Sequence, residues 1–222
     1  MPEQRQKTIV CFCKRSCGGS PWRDLPPAFG HWNSQFRRFR RWAKSGVCEG
    51  LFKAVSEALT LNILSLMALS SGSTRRRPAQ KGPQHQAIGR SRDGRTTKII
   101  ALVNALGNLV RSPLLPGQAH DMKGVAPLIK GVSFDALPVE KAFEVDWLLQ
   151  DLDEHGATAV ILPKTNRKLQ RNYDAKVYKW RHLVENDFAK IKEFRAIATR
   201  YDKTDCSYTA CNNAARFAFC RP

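Results

Sequence analysis

From Lys98 onward the hydrophobic period of the chain switches repeatedly between two and 3.6, and this succession limits the fold more than any single motif. Lys98-Ile-Ile-Ala-Leu-Val103 and Leu109-Val-Arg-Ser-Pro-Leu-Leu115 read as strands of a β-hairpin turning around Ala105 to Asn108. A strand is expected at 136–139, a helix over 143–155 and another strand at 158–162. A basic loop through Lys164, Arg167, Lys168 and Arg171 then leads to a helix over 178–192. Strands and helices in this order predict a mixed α/β sheet flanked by helices.

The last of these helices carries Leu183, Val184, Phe188, Ile191 and Phe194 at helical spacing, so it should be amphipathic. At about 100° per residue, Tyr178, Arg181, Glu185 and Lys192 fall within roughly 60° of one another. One face then presents a carboxylate between cations. As a solvated face it would hold an Arg–Glu pair at i, i+4 worth a few tenths of a kcal/mol.

Residues 20–57 read as a small helical module. Trp32, Phe36, Phe39 and Trp42 form an aromatic seam from the helix that starts near Asn33, while Arg37, Arg38, Arg40 and Arg41 crowd the remaining surface. Like charges at i, i+3 and i, i+4 repel unless an anion lies against them. The whole chain points the same way: among 222 residues, 37 Lys and Arg face 19 Asp and Glu, a net charge of +18 that favours a polyanionic partner, nucleic acid first. No run of 18 apolar residues exists, so neither a membrane span nor a signal peptide is expected. An odd count of seven cysteines argues for reduced thiols rather than a disulfide framework. Six of them cluster at the two ends: Cys11, Cys13, Cys17, Cys206, Cys211 and Cys220.

Tyr178, Arg181, Glu185 and Lys192, spaced by two, three and six intervening residues, resemble the signature of bacterial insertion-sequence DDE transposases. The segment GSPWRDLPPAFGHWNSQFRRFRRWAKSGV resembles the helical module that precedes their catalytic core, with Cys48 where an aromatic is usual. AIGRSRDGRTTKI, ALGNLVRSPLLPGQAHD and GVAPLI resemble their core strands and first core helix. The resemblance implies an RNase H-like mixed sheet flanked by helices, preceded by a small all-α, helix-turn-helix-like module. It divides the chain into a DNA-binding module (18–57), a degenerate basic linker (58–86), a catalytic core (87–205) and a degenerate tail (206–222). It also implies metal-dependent strand cleavage and transfer with Mg²⁺. The DNA partners would be the terminal inverted repeats of the element and target DNA, in a cytoplasmic, nucleoid-associated protein of bacteria. A homodimer on DNA stays open.

By the same carry-over, Glu140 and Glu185 would be catalytic metal ligands. Arg37, Arg38, Arg40, Arg41, Tyr178, Arg181 and Lys192 would contact DNA. Two departures weaken the site. Glu140-Lys-Ala-Phe-Glu144 stands where the family reads Asp-Lys-Ala-Tyr-Asp, and the extra methylene displaces a ligand. The first Asp belongs on a strand some 20 residues before Gln84, yet Leu64-Ser-Leu-Met-Ala-Leu-Ser-Ser-Gly-Ser-Thr74 contains no acid.

One allowed back-translation of Met67 to Pro78, read from the preceding nucleotide, gives Asp-Gly-Thr-Ile-Val-Arg-Val-His, the missing motif. The stretch 58–80 is therefore expected to lack the first, central strand, and the copy to be inactive. The alternative from another class is a non-catalytic DNA-binding remnant.

Overall fold

The computed structural model describes Thr8, residues 10–12, Arg15, and residues 19–56, 62–73, 86–105, 108–163 and 173–219. The loop expected at 164–171 lies outside them. After two 3-10 turns at Trp22–Asp24 and Pro27–Phe29 come helices α1 (Trp32–Lys44) and α2 (Val47–Ser56). Strands follow at β1 (Leu64–Ser73), β2 (Gly89–Ser91), β3 (Gly94–Asn104), β4 (Leu109–Arg111) and β5 (Leu114–Pro116). The second half contains α3 (Val125–Ile129), β6 (Ala136–Val139), α4 (Asp146–Glu154), β7 (Thr158–Ile161), α5 (Ala175–Lys179) and α6 (His182–Lys192). It ends with α7 (Arg195–Ala198), β8 (Thr199–Arg200) and α8 (Asp205–Phe219).

The eight strands form one mixed sheet with the path β2-β3-β1-β6-β7. β1 runs antiparallel to β3 from Leu64↔Asn104 to Gly72↔Thr96, and parallel to β6 at Leu66↔Val139. Because Thr96 pairs with both Gly72 and Gly89, and Ile99 with both Leu69 and Leu114, strands β2, β5 and β4 follow one another along the far edge of β3. Setting aside the short β2 and β8 and taking β4 and β5 as one broken strand, the order is third-second-first-fourth-fifth, the arrangement of an RNase H-like sheet, the fold expected from the sequence.

The expectation of a missing central strand is wrong. β1 lies in the middle of the sheet, with Leu64 and Leu66 fully buried. Leu64, Leu66 and Ala68 face the core under α3 and α4, where they meet Ile100, Leu128, Val139 and Leu148. Met67 and Leu69 face the opposite core, among Ile99, Val184, Phe188 and Ile191 of β3 and α6. A strand covered on both sides shows no alternation of apolar and polar residues, so its period is invisible in the sequence. Ser71, on the covered face, is accommodated because its hydroxyl donates to the carbonyl of Ile197 at 2.6 Å.

The stretch read as a degenerate tail is likewise part of the core. α8 places Tyr208 and Ala215 against the sheet and Ala210 and Cys211 against the N-terminal helices. There Phe12 meets Phe39 and Trp42 edge-on, with centroids 5.0 and 5.7 Å away. Burial pushes the thiols of Cys11 and Cys48 up to about 11, so both behave as small apolar side chains. No helix among the described residues is long and apolar enough to cross a membrane.

Candidate functional site

Two surface features collect most of the residues singled out by sequence. The first is at the end of β6. Glu140 follows Val139 directly and is the residue from which a 3-10 turn at Lys141–Phe143 starts. Arg181 reaches it from the start of α6: Nη1 donates to Glu140 Oε1 at 2.7 Å, and Nη2 lies 3.0 Å from Glu185 Oε1. One guanidinium therefore spans both carboxylates.

The single helix expected from Tyr178 is in fact two. Bonds from Arg181 N to Tyr178 O, Leu183 N to Trp180 O and Val184 N to Arg181 O are of the i+3 type, tightening the chain between α5 and α6. The common face of the four motif residues is thereby broken. Arg181 keeps its i, i+4 partner Glu185, and its guanidinium carbon stays 5.6 Å from the Tyr178 ring, which in turn packs edge-on against Tyr173. Lys192 is exposed seven residues beyond Glu185, about 10 Å along the helix axis, and does not join the cluster. Arg181, expected as a free contact for DNA, is taken up by the two acids.

The register Leu66↔Val139 puts Met67 in step with Glu140 on the neighbouring strand. A half-buried thioether, packed against the core under α6, thus stands level with Glu140. Among the described residues no group of three or more His, Cys, Asp or Glu side chains is placed to hold a metal ion. A hard divalent cation needs about six oxygen ligands, most of them charged or water. Two carboxylates, 35% and 45% exposed and already bridged by a cation, do not fit Mg²⁺, so the resemblance's expectation of Glu140 and Glu185 as metal ligands finds no support in the donor set.

The second feature is on α1. Asn33, Phe36, Arg37, Arg40, Arg41, Lys44 and Ser45 line an open groove of about 620 Å³. They share this face because they recur at i, i+3, i+4 and i+7, while Gln35 and Phe39 turn inward. The Arg40 guanidinium carbon sits 5.8 Å from the Phe36 ring. Arg38 does not line the groove: its Nη1 donates to the Thr8 hydroxyl at 2.8 Å. Three of the four arginines expected to act together are thus joined by Lys44, a residue without a motif of its own that lies one turn beyond Arg40 and Arg41.

Comparison with known proteins supplies the family. Residues 70–210 match the family described as "Transposase DDE domain", and residues 3–52 match "Putative transposase of IS4/5 family (DUF4096)". The second match starts before the cysteine-rich segment, and the first starts three residues after Met67 and runs into α8. A putative transposase for insertion sequence element IS6501 from Brucella ovis is 32% identical over 111 residues, covering 49% of this chain and 85% of that protein. Two solved structures are also similar. A pre-cleavage Mos1 transpososome is 11% identical, covering 90% of this chain and 73% of that one at a TM-score of 0.26. A Mos1 transposase paired-end complex with left transposon end is 9% identical, covering 94% and 75% at 0.28. Superpositions this loose bear on neither fold nor function.

Proposed function

The chain belongs to the DDE transposase family of insertion sequences, and from that premise we propose that it binds duplex DNA through the α1 groove but does not cut or join DNA as it stands. The observation that carries this reading is Arg181, which bridges Glu140 and Glu185 at 2.7 and 3.0 Å beside Met67. In an intact site, three carboxylates would hold two divalent ions that activate the attacking oxygen and neutralise the leaving one. Here two carboxylates and one guanidinium leave a single net negative charge. A terminal inverted repeat or target DNA would still meet Arg37, Arg40, Arg41 and Lys44, whose forks and point charge suit phosphate oxygens.

Charge reversal in the groove tests the DNA interface. The variant Arg37→Glu/Arg40→Glu/Arg41→Glu should bind duplex DNA far more weakly, its log K against log salt shallower by roughly 0.9 for each phosphate left without its cation. Arg38→Glu should change the slope least, because its fork is engaged with Thr8. Equal affinity and equal slope in the triple variant would remove the groove from the DNA interface.

A further inference from the structure

We propose that the tip of the β2–β3 hairpin is a second contact for the phosphates of duplex DNA, separate from the α1 groove. This rests on the reading of the chain as a DNA-binding protein. Arg90 and Arg95 are directly paired across the hairpin, so their side chains leave the same face, and Arg92 stands in the turn between them. All three are exposed. Among the described residues no ion pair ties any of them to an acidic side chain, Asp93 of the same turn included. Like charges set opposite each other in an antiparallel pair are destabilising. The arrangement becomes favourable when an anion lies against both.

The stem holds this tip in place. Gly94 takes a φ of +97°, which closes the Asp-Gly turn. The Ser91 hydroxyl accepts from Asp93 N at 3.3 Å and reaches the Gly94 carbonyl at 3.4 Å. At the base, a Cβ on Gly89 would come within 1.5 Å of Gln118 Oε1, so the stem is pressed against the segment that follows β5. Lys203 adds a fourth cation: its Nζ donates to Ser73 Oγ at 3.2 Å at the end of β1. Burial, then the charges of Arg200 and Arg95, hold its ammonium below the usual lysine range, which places it within electrostatic reach of the tip.

Duplex DNA is favoured over a single small anion because the tip gathers three exposed arginines, more cations than one phosphate neutralises, whereas phosphates recur every 3.4 Å or so along a DNA strand.

The test uses the full chain and a fluorescein-labelled mixed-sequence DNA duplex two helical turns long, with anisotropy read across a salt series. Arg90→Ala/Arg92→Ala/Arg95→Ala should make the salt slope shallower by about 0.9 for each arginine removed. Its melting temperature should be unchanged or higher, because facing like charges are gone. Replacing the three arginines by lysine should keep the slope. If the wild-type chain binds the duplex and the alanine variant binds it with the same slope, the hairpin is not a contact. The proposal also falls if the variant loses affinity for an RNA duplex of the same length but not for DNA. A wild-type chain that binds no duplex at all would instead sink the DNA reading on which this contact rests.

Discussion

Replacing Asp205 by Ala should lower the unfolding free energy by about 3 kcal/mol, the lower end of the cost of stranding a buried charge. The Arg200 side chain is fully buried, and its Nη2 donates to Asp205 Oδ1 at 2.6 Å. Its other donors are fixed, Nε on the Asp202 carbonyl at 2.9 Å and Nη1 on the Thr97 hydroxyl at 2.7 Å, so it cannot swing out to water without losing them. The Tyr208 ring, 4.8 Å from the guanidinium, covers it from α8, and burial pushes that phenol up to about 12. Asp205 also accepts from the Ala87 amide with both oxygens, at 2.9 and 2.8 Å, a donor that would be left unsatisfied. Its carboxylate is a third exposed, so water screens part of the charge and the upper end of the range does not apply. Against a typical total of about 5–15 kcal/mol, the loss is large. Urea unfolding gives the answer directly. A change under about 1 kcal/mol would mean that α8 is not part of the cooperative core.

A chain carrying Met67→Asp together with Glu140→Asp should gain Mg²⁺-dependent nicking of DNA bearing the element's ends. The wild-type chain should show none. The Leu66↔Val139 register sets residue 67 level with residue 140, and the position is only half buried, so a carboxylate there keeps part of its contact with water. Shortening Glu140 withdraws its carboxylate from Arg181 and moves it toward the strand, where the new Asp stands. Misplacing a catalytic group by about 1 Å can cost on the order of 10²-fold in rate, so each repair alone should recover little and the pair much more. Calorimetry with Mg²⁺ on the double variant and on each single one separates binding from cleavage. The opposite result would be nicking by the unrepaired chain that Glu185→Gln abolishes, and it would show that another carboxylate has taken the third place.

The parts of the fold visible in the sequence are two short apolar strands and the helix between them, whose Leu148, Leu149 and Leu152 recur on one face. β6 appears at 136–139 as expected, β7 at Thr158–Ile161, and the helix between them at Asp146–Glu154; of its first expected residues, Phe143 ends a 3-10 turn and Glu144 and Val145 are extended. β1 is hidden because both its faces are buried, and a run of Leu, Ser, Met and Ala then has no period to read. α8 is hidden for a different reason: its buried positions include Ala210, Cys211, Asn212, Asn213 and Ala215, small or polar residues that make no apolar stripe. In the candidate site, the Arg181–Glu185 pair is a local i, i+4 contact and is legible. The link from Arg181 to Glu140 crosses 41 residues, and only the sheet brings them together. Lys44 and the hairpin arginines need the surface itself, since charge alone does not tell which cations share a face.

α8 also sets a clock on how the chain matures as it is made. The pocket that receives Phe12 and Phe39 is completed by Ala210 and Cys211. The ribosome must therefore add 199 residues after Phe12 before Cys211 exists, about 10–40 s at roughly 5–20 residues per second. Throughout that interval the N-terminal aromatic rings have only one another and α2 for shelter, and β1 waits for β6, which is made more than 60 residues later. Burial of the N-terminal aromatic cluster consequently cannot be completed until α8 has been made.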